Sequence, residues 1–209
     1  MNEYSFIIPC YNCDTFIRKN IKKSENELKK LKIKRYELIL IDDGSLDKTY
    51  EKIKDLSFKN KLVKIIRNKK NIGKSYSSIR GIRESNFQKI ILIDCDLPYF
   101  DSLKHIIFNL DRNNDLVIVN RKLKESKLVT TNINLYQLLR YFIGNLIAFI
   151  NIKILKIEIP GGDTQAGLKG FKKIKNFDKL KFVSRKFFFD LELILIYLRK
   201  KLKILSVKT

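Results

Sequence analysis

Cysteine, histidine and long apolar runs are all scarce in this chain, and each scarcity closes off a class of protein. There are three cysteines, Cys10, Cys13 and Cys95, an odd count without the spacing of a disulfide framework. Cys10 and Cys13 form a C-x-x-C pair, but no second pair follows to complete a zinc site. Three unpaired thiols fit a reducing, cytoplasmic setting best. The only histidine, His105, falls in an expected helix and reads as structural. No apolar stretch reaches the ~20 residues needed to span a bilayer; the longest block, Tyr141–Ile150, is broken by Gly144 and Asn145. The first residues read as a strand and not as a secretory signal. Phosphate-loop glycines are missing too: there is no G-x-x-x-x-G-K-[ST], and no G-x-G-x-x-G follows the first strand. Any nucleotide must therefore be held by side chains and a cation.

What the chain does have is positive charge. Its net charge is +22 and its pI about 9.9 over 209 residues, 44% of them hydrophobic. That is enough apolar material for one globular domain, residues 1–209. The charge favours anionic partners: nucleic acid, an anionic membrane surface or phosphorylated substrates. Lysines are spread along the whole chain, with no recognition motif and no clustered basic helix, so no specific nucleic-acid partner is expected.

Apolar runs and helical stripes alternate. Strands are expected at Tyr4–Pro9, Tyr36–Ile41, Leu62–Arg67, Ile90–Asp94 and Leu116–Val119. Helices are expected over Phe16–Leu31, capped by Asp14 or Thr15, then from the Asp42-Asp43-Gly44-Ser45 turn through about Leu56, over Ser75–Glu84 and over Leu103–Leu110. This alternation predicts an α/β fold, a mainly parallel sheet with helices on both faces. A longer stripe over Leu135–Leu155 reads either as a core helix or as a helix lying in a membrane interface. In the second case Lys122, Lys124 and Lys127 would meet anionic headgroups, each worth about 1 kcal/mol at best.

The polar residues fall where the strands end: Tyr11 and Asn12, then Asp42 and Asp43, then Asp94 and Asp96, then Arg121. In an open α/β sheet the ligand sits at that edge. Carboxylates at alternate positions after a buried strand are not core residues, because an unpaired buried charge is costly. As hard oxygen donors, Asp94 and Asp96 suit Mg2+ or Mn2+, which can neutralise a diphosphate.

In this order and spacing, Ile7-Ile8-Pro9-Cys10-Tyr11-Asn12, Ile41-Asp42-Asp43-Gly44-Ser45, Asn71-Ile72-Gly73-Lys74 and Asp94-Cys95-Asp96 resemble the family 2 glycosyltransferases of the GT-A fold. Gly162-Asp163-Thr164-Gln165-Ala166-Gly167-Leu168-Lys169-Gly170-Phe171, with Phe189-Asp190-Leu191-Glu192-Leu193, resemble the branch that charges polyprenyl or dolichyl phosphate with a sugar. The Asp-Thr-Gln block is closer to its glucosyl-transferring members than to the mannose synthases.

The resemblance implies an inverting, metal-dependent transfer from a nucleotide-sugar, a UDP-sugar, to polyprenyl phosphate, on the cytoplasmic face of a membrane. It implies that Pro9, Tyr11, Asn12, Asp43, Gly73, Lys74, Asp94 and Cys95 surround the nucleotide. Asp94 and Asp96 would flank the diphosphate, Asp96 being the direct metal ligand. Arg121, with Arg140 as a second clamp, would meet the acceptor phosphate, and Asp163 and Gln165 the sugar or acceptor. Two departures stand out: Val119-Asn120-Arg121 replaces the family's Gly-Ser-Arg, and Pro98 stands where mannose synthases often carry a polar ligand. Glu192 is expected to orient the site or pair with a lysine. Transfer to a saccharide or other non-lipid acceptor is one alternative reading; a basic nucleic-acid-binding module driven by the +22 charge is the other.

Overall fold

The strand Lys89–Ile93 shows how the sequence builds the molecule. Ile90 and Leu92 point into one apolar layer, Ile91 and Ile93 into the other, and all four are buried. Such a strand needs cover on both faces. The computed structural model describes residues 3–122, 163–184 and 188–209. In chain order these form β1 (Glu3–Cys10), α1 (Ile17–Lys30), β2 (Arg35–Asp42), α2 (Thr49–Lys59), β3 (Val63–Arg67), α3 (Lys74–Arg83), β4 (Lys89–Ile93), α4 (Leu103–Asp111), β5 (Leu116–Val119), β6 (Leu168–Lys172), α5 (Phe189–Arg199) and β7 (Ile204–Val207).

Among the described residues the sheet has seven strands in the order β3-β2-β1-β4-β6-β5-β7. β1 pairs in parallel with β2 and β4, β2 with β3, and β5 with β7, while β6 runs antiparallel between β4 and β5. One face is covered by α1 (Ile17, Ile21, Leu28) and α4 (Leu103, Ile106, Leu110). The other is covered by α3 (Ile79, Ile82) and α5 (Phe189, Leu193, Tyr197). The chain leaves β1 to add β2 and β3 on one side, then returns to add β4 on the other. The crevice at the carboxyl ends of β1 and β4 is thus a topological switch point, the place where this architecture takes ligands.

The five expected strands and the four helices expected between Phe16 and Leu110 are present, with ends shifted by a few residues. Three expectations need correction. α1 begins at Ile17 with Phe16 at its N-cap and no side-chain cap. The Cys13 carbonyl accepts from the amides of Phe16 and Ile17, and the Asp14 carboxylate lies 3.5 Å from Lys52 Nζ instead. β6 and β7 were not anticipated: Gly170 and flanking lysines interrupt the apolar run of β6, and β7 is a half-buried edge. Among the described residues Glu192 makes no ion pair with a lysine; it accepts from the amides of Val183 and Ser184 at 2.8 and 3.0 Å. Arg140 and the Leu135–Leu155 stripe lie outside the described residues, as do Lys124 and Lys127. No helix among the described residues is long and apolar enough to cross a membrane.

Candidate active site

At the switch point a cavity of about 530 Å³ opens between the loops after β1, β2, β3 and β4. Its lining includes Pro9, Cys10 and Tyr11 from the first, Asp43 from the second, Gly73 and Lys74 from the third, and Asp94, Cys95 and Asp96 from the fourth. Most of the residues expected to surround a nucleotide therefore meet on one concave surface.

Backbone conformation makes this possible. Gly44 has φ +70°, and a Cβ there would stand 2.4 Å from the Lys70 carbonyl carbon, so only glycine lets the two loops touch. Asn12, Leu97 and Tyr99 also adopt left-handed conformations, at φ 47°, 53° and 57°. Each such residue costs on the order of 1–3 kcal/mol, and this kind of strain gathers at functional sites.

Two expected nucleotide contacts turn out to brace the walls. The Asp43 carboxylate is buried and accepts from Asn68 Nδ2 at 2.8 Å and from the amides of Ile72 and Gly73 at 3.0 and 2.9 Å. It shapes the loop that presents Gly73 while still lining the cavity. Asn12 lies outside that lining. Its amide donates to Ser45 Oγ at 3.1 Å and its Oδ1 accepts from Leu46 N at 2.9 Å, tying the β1 loop to the β2 loop. Tyr11 stands at the mouth, 42% exposed.

On the opposite wall Lys74 Nζ lies 2.5 Å from Asp94 Oδ1. Burial raises the Asp94 carboxyl above the ordinary carboxylate range, against the pull of Lys74. Burial opposes the charge on Lys74 as well, but Asp94, Asp190 and Asp96 together raise its ammonium above the ordinary lysine value. Asp96 is exposed at the cavity edge. In kind these residues fit a hard divalent cation: two carboxylates of one loop face one cavity, and the Lys74 ammonium already stands as a positive charge against Asp94. Among the described residues no group of three His, Cys, Asp or Glu side chains gathers as a full metal cage would require.

Beyond β5, Arg121 and Asp163 have found each other. Arg121 donates from Nε to Oδ2 at 2.9 Å, from Nη2 to Oδ1 at 2.7 Å and from its amide to Oδ2 at 2.8 Å. Burial opposes the Asp163 charge, but the guanidinium and the amides of Arg121 and Gln165 outweigh it and hold its carboxyl below the ordinary value. Asp163, and after it Tyr99 in the loop beyond Asp96, hold the Arg121 guanidinium above its ordinary value against burial. Gln165 stays within its own turn, its Nε2 lying 3.4 Å from Thr164 Oγ1.

The cysteines do not form a reactive redox pair. Cys10 and Cys13 are buried, and donation of the Cys13 S–H toward Cys10, with burial, pushes the Cys13 thiol up to about 12, the reverse of an activated thiolate. Hydrogen bonding to Cys13, together with burial, raises Cys95 as well.

Sequence reasoning gave no role to Gly167, Lys169 or Asp190. The Asp94 amide donates to the Gly167 carbonyl at 3.0 Å, and the Asp94 carboxylate packs where a Cβ of residue 167 would be. Lys169 and Asp190 form a buried ion pair. The one signal available was their place inside the two late motifs.

Residues 5–161 match the family model described as glycosyl transferase family 2. The chain is 33% identical over 124 residues to a dolichol-phosphate mannosyltransferase of Pyrococcus furiosus, covering 59% of this chain and 34% of that protein. It is 24% identical over 216 residues to a dolichyl-phosphate beta-glucosyltransferase of Trichomonas vaginalis, covering 97% of this chain and 64% of that one. The chain thus spans from about a third to under two thirds of the length of these relatives. Among solved structures, the fold is similar to glucosyl-3-phosphoglycerate synthase of Mycobacterium tuberculosis with Mn2+ and UDP, at TM-score 0.69 and 16% identity over 99% of this chain and 69% of that one. It is also similar to mannosyl-3-phosphoglycerate synthase of Rubrobacter xylanophilus, at TM-score 0.71 and 12% identity over 99% and 65%. The α/β architecture is therefore the expected GT-A fold.

Proposed function

The chain belongs to glycosyl transferase family 2, and on that premise we propose that it moves a sugar from a nucleotide-sugar donor, a UDP-sugar, to polyprenyl or dolichyl phosphate. The observation that carries this reading is the single cavity joining Tyr11, Asp43, Gly73, Lys74, Asp94 and Asp96 at the switch point. The two relatives named as dolichol-phosphate and dolichyl-phosphate sugar transferases support the acceptor. The Mn2+ and UDP in one fold neighbour support the donor and the cation.

In this reading Pro9 and Tyr11 hold the base and ribose, within walls set by Asp43 and Asn12. Lys74 meets the diphosphate. Asp94 and Asp96 hold Mg2+ or Mn2+, which when bound supplies charge neutralisation for the departing nucleoside diphosphate. A lipid monophosphate oxygen attacks the anomeric carbon as the sugar–diphosphate bond breaks, with inversion. A phosphate monoester, with a second pKa of about 6, is already largely ionised at neutral pH and needs no general base. Arg121 positions that phosphate by bidentate contacts, with Arg140 as its second clamp. Gln165 and Asp163 border the acceptor, and the basic chain works peripherally at an anionic membrane surface on its cytoplasmic side.

The test is incubation with labelled UDP-glucose or GDP-mannose, polyprenyl phosphate and Mn2+. Lipid-linked sugar from UDP-glucose is the expected product, and its absence with every donor removes the lipid acceptor. One observation favours a saccharide acceptor instead: Asp163 already neutralises Arg121. Arg121→Ala separates the readings, because it should cripple transfer to a phosphate and leave transfer to a saccharide nearly intact.

A further inference from the structure

Two buried charges, Lys169 and Asp190, are not used by the mechanism above. Lys169 is 1% exposed and Asp190 5%, and they pair between β6 and the first turn of α5. Lys169 sits opposite Leu92 in β4, the strand that delivers Asp94 to the cavity wall. Its neighbourhood holds both members of the wall pair: Asp190, Lys74 and Asp94 all act on Lys169, and Asp94, Asp190 and Asp96 all act on Lys74. Two ammonium groups and two buried or half-buried carboxylates thus share one patch, and each lysine is within electrostatic reach of both acids. The deep lysine has taken the deep acid, which leaves Lys74 for Asp94.

Stability alone does not explain keeping such a pair. A buried ion pair is often no more stabilising than apolar side chains of the same volume, whereas removing one partner is strongly destabilising. The surroundings here are apolar, with Phe189, Leu193 and Phe171 all buried in the same layer.

We infer that Lys169 and Asp190 are positioning residues. By saturating each other they hold Lys74 on Asp94, and so fix where the cavity's ammonium and carboxylate stand for the donor's diphosphate and the cation. This rests on the donor site proposed above, but the assignment of partners can be read without any donor.

The experiment is lysine labelling with an acylating reagent, followed at Lys74 by peptide mass spectrometry, on native protein, Lys169→Met, Asp190→Leu and the double variant. In Lys169→Met the bare Asp190 draws Lys74 inward, and Lys74 labelling falls by about threefold or more. In Asp190→Leu the bare Lys169 turns to Asp94 and releases Lys74, and labelling rises by a similar factor. In the double variant Lys74 returns to Asp94 and labelling returns to the native rate. A merely structural role would loosen the fold and raise labelling in both single variants, which would overturn the inference. No change in either single variant would overturn it too. Should either single variant fail to fold, Lys169→Gln and Asp190→Asn, closer in shape, carry the same expectations.

UDP and Mn2+ titrations by calorimetry add a second reading. Both single variants should lose about tenfold or more in affinity, and the double variant should regain it. Failure of native protein to bind UDP would count against the proposed donor while leaving the labelling result to judge the ion-pair assignment.

Discussion

A methyl group at position 167 should damage the site more than its size implies. An ideal Cβ on Gly167 would stand 2.4 Å from Asp94 Oδ2 and 2.8 Å from both Asp94 Cγ and Pro98 Cγ. The backbone of Gly167 is not in the left-handed region, so Gly167→Ala carries no conformational penalty and its whole cost is steric. The Pro98 ring is stiff, which leaves Asp94 to give way, and Asp94 is pinned by Lys74 at 2.5 Å. Overpacking of this kind costs about 2 kcal/mol, or roughly 4–8 °C in Tm for a chain of this size. A displaced Asp94 should cost about 100-fold in kcat/KM, the usual consequence of shifting a site group by an ångström. Gly170→Ala is the control. Its Cβ would meet Ile106 Cγ2 at 2.5 Å and Ile91 Cδ1 at 2.9 Å, a comparable clash in the apolar core. Thermal unfolding and steady-state transfer should therefore show similar losses of Tm in both variants, with a collapse of turnover in Gly167→Ala alone. Equal kinetic losses, or a Gly167→Ala enzyme of native rate, would show that Asp94 does not govern the chemistry.

Acid should weaken the Arg121–Asp163 tie. Arg121 holds the Asp163 carboxyl below its unfolded value, about 3.9, so its stabilisation is complete above that pH and is lost as pH falls through the folded pKa. Asp163→Asn should lower Tm at pH 7 and converge on the native protein in more acidic buffer; a Tm gap that grows on acidification would contradict this. The thiols should be slow: at pH 8 an aromatic disulfide reagent should leave Cys10, Cys13 and Cys95 largely unmodified in folded protein and titrate all three after denaturation. Rapid labelling of Cys13 in the folded state would refute the account of its raised pKa.

Much of the site was legible because its residues mark the ends of strands. Four branched or long apolar residues before Asp94 announce a strand buried on both faces, and a carboxylate after it must lie at the sheet's edge. The same logic placed Tyr11, Asp43 and Arg121. What could not be read was which polar groups would satisfy one another. Asn12 and Asp43 became loop braces because the amides of Leu46, Ile72 and Gly73 needed acceptors. Arg121 and Asp163 meet through tertiary folding across a long stretch of sequence. Lys169 carried no signal beyond its place in a late motif: with 44 lysines and arginines in the chain, one more in a short strand looks solvated until its neighbours in the sheet are known.

The account's central claim is that the cavity at the ends of β1 and β4 takes a nucleoside diphosphate together with a divalent cation. Calorimetric titration of UDP, with and without Mn2+, into native protein and Asp96→Ala tests it most directly. Tight binding that needs Mn2+ in the native protein, and most of that affinity lost in Asp96→Ala, is the predicted result. UDP binding indifferent to both the cation and Asp96, or no binding at all, would contradict it.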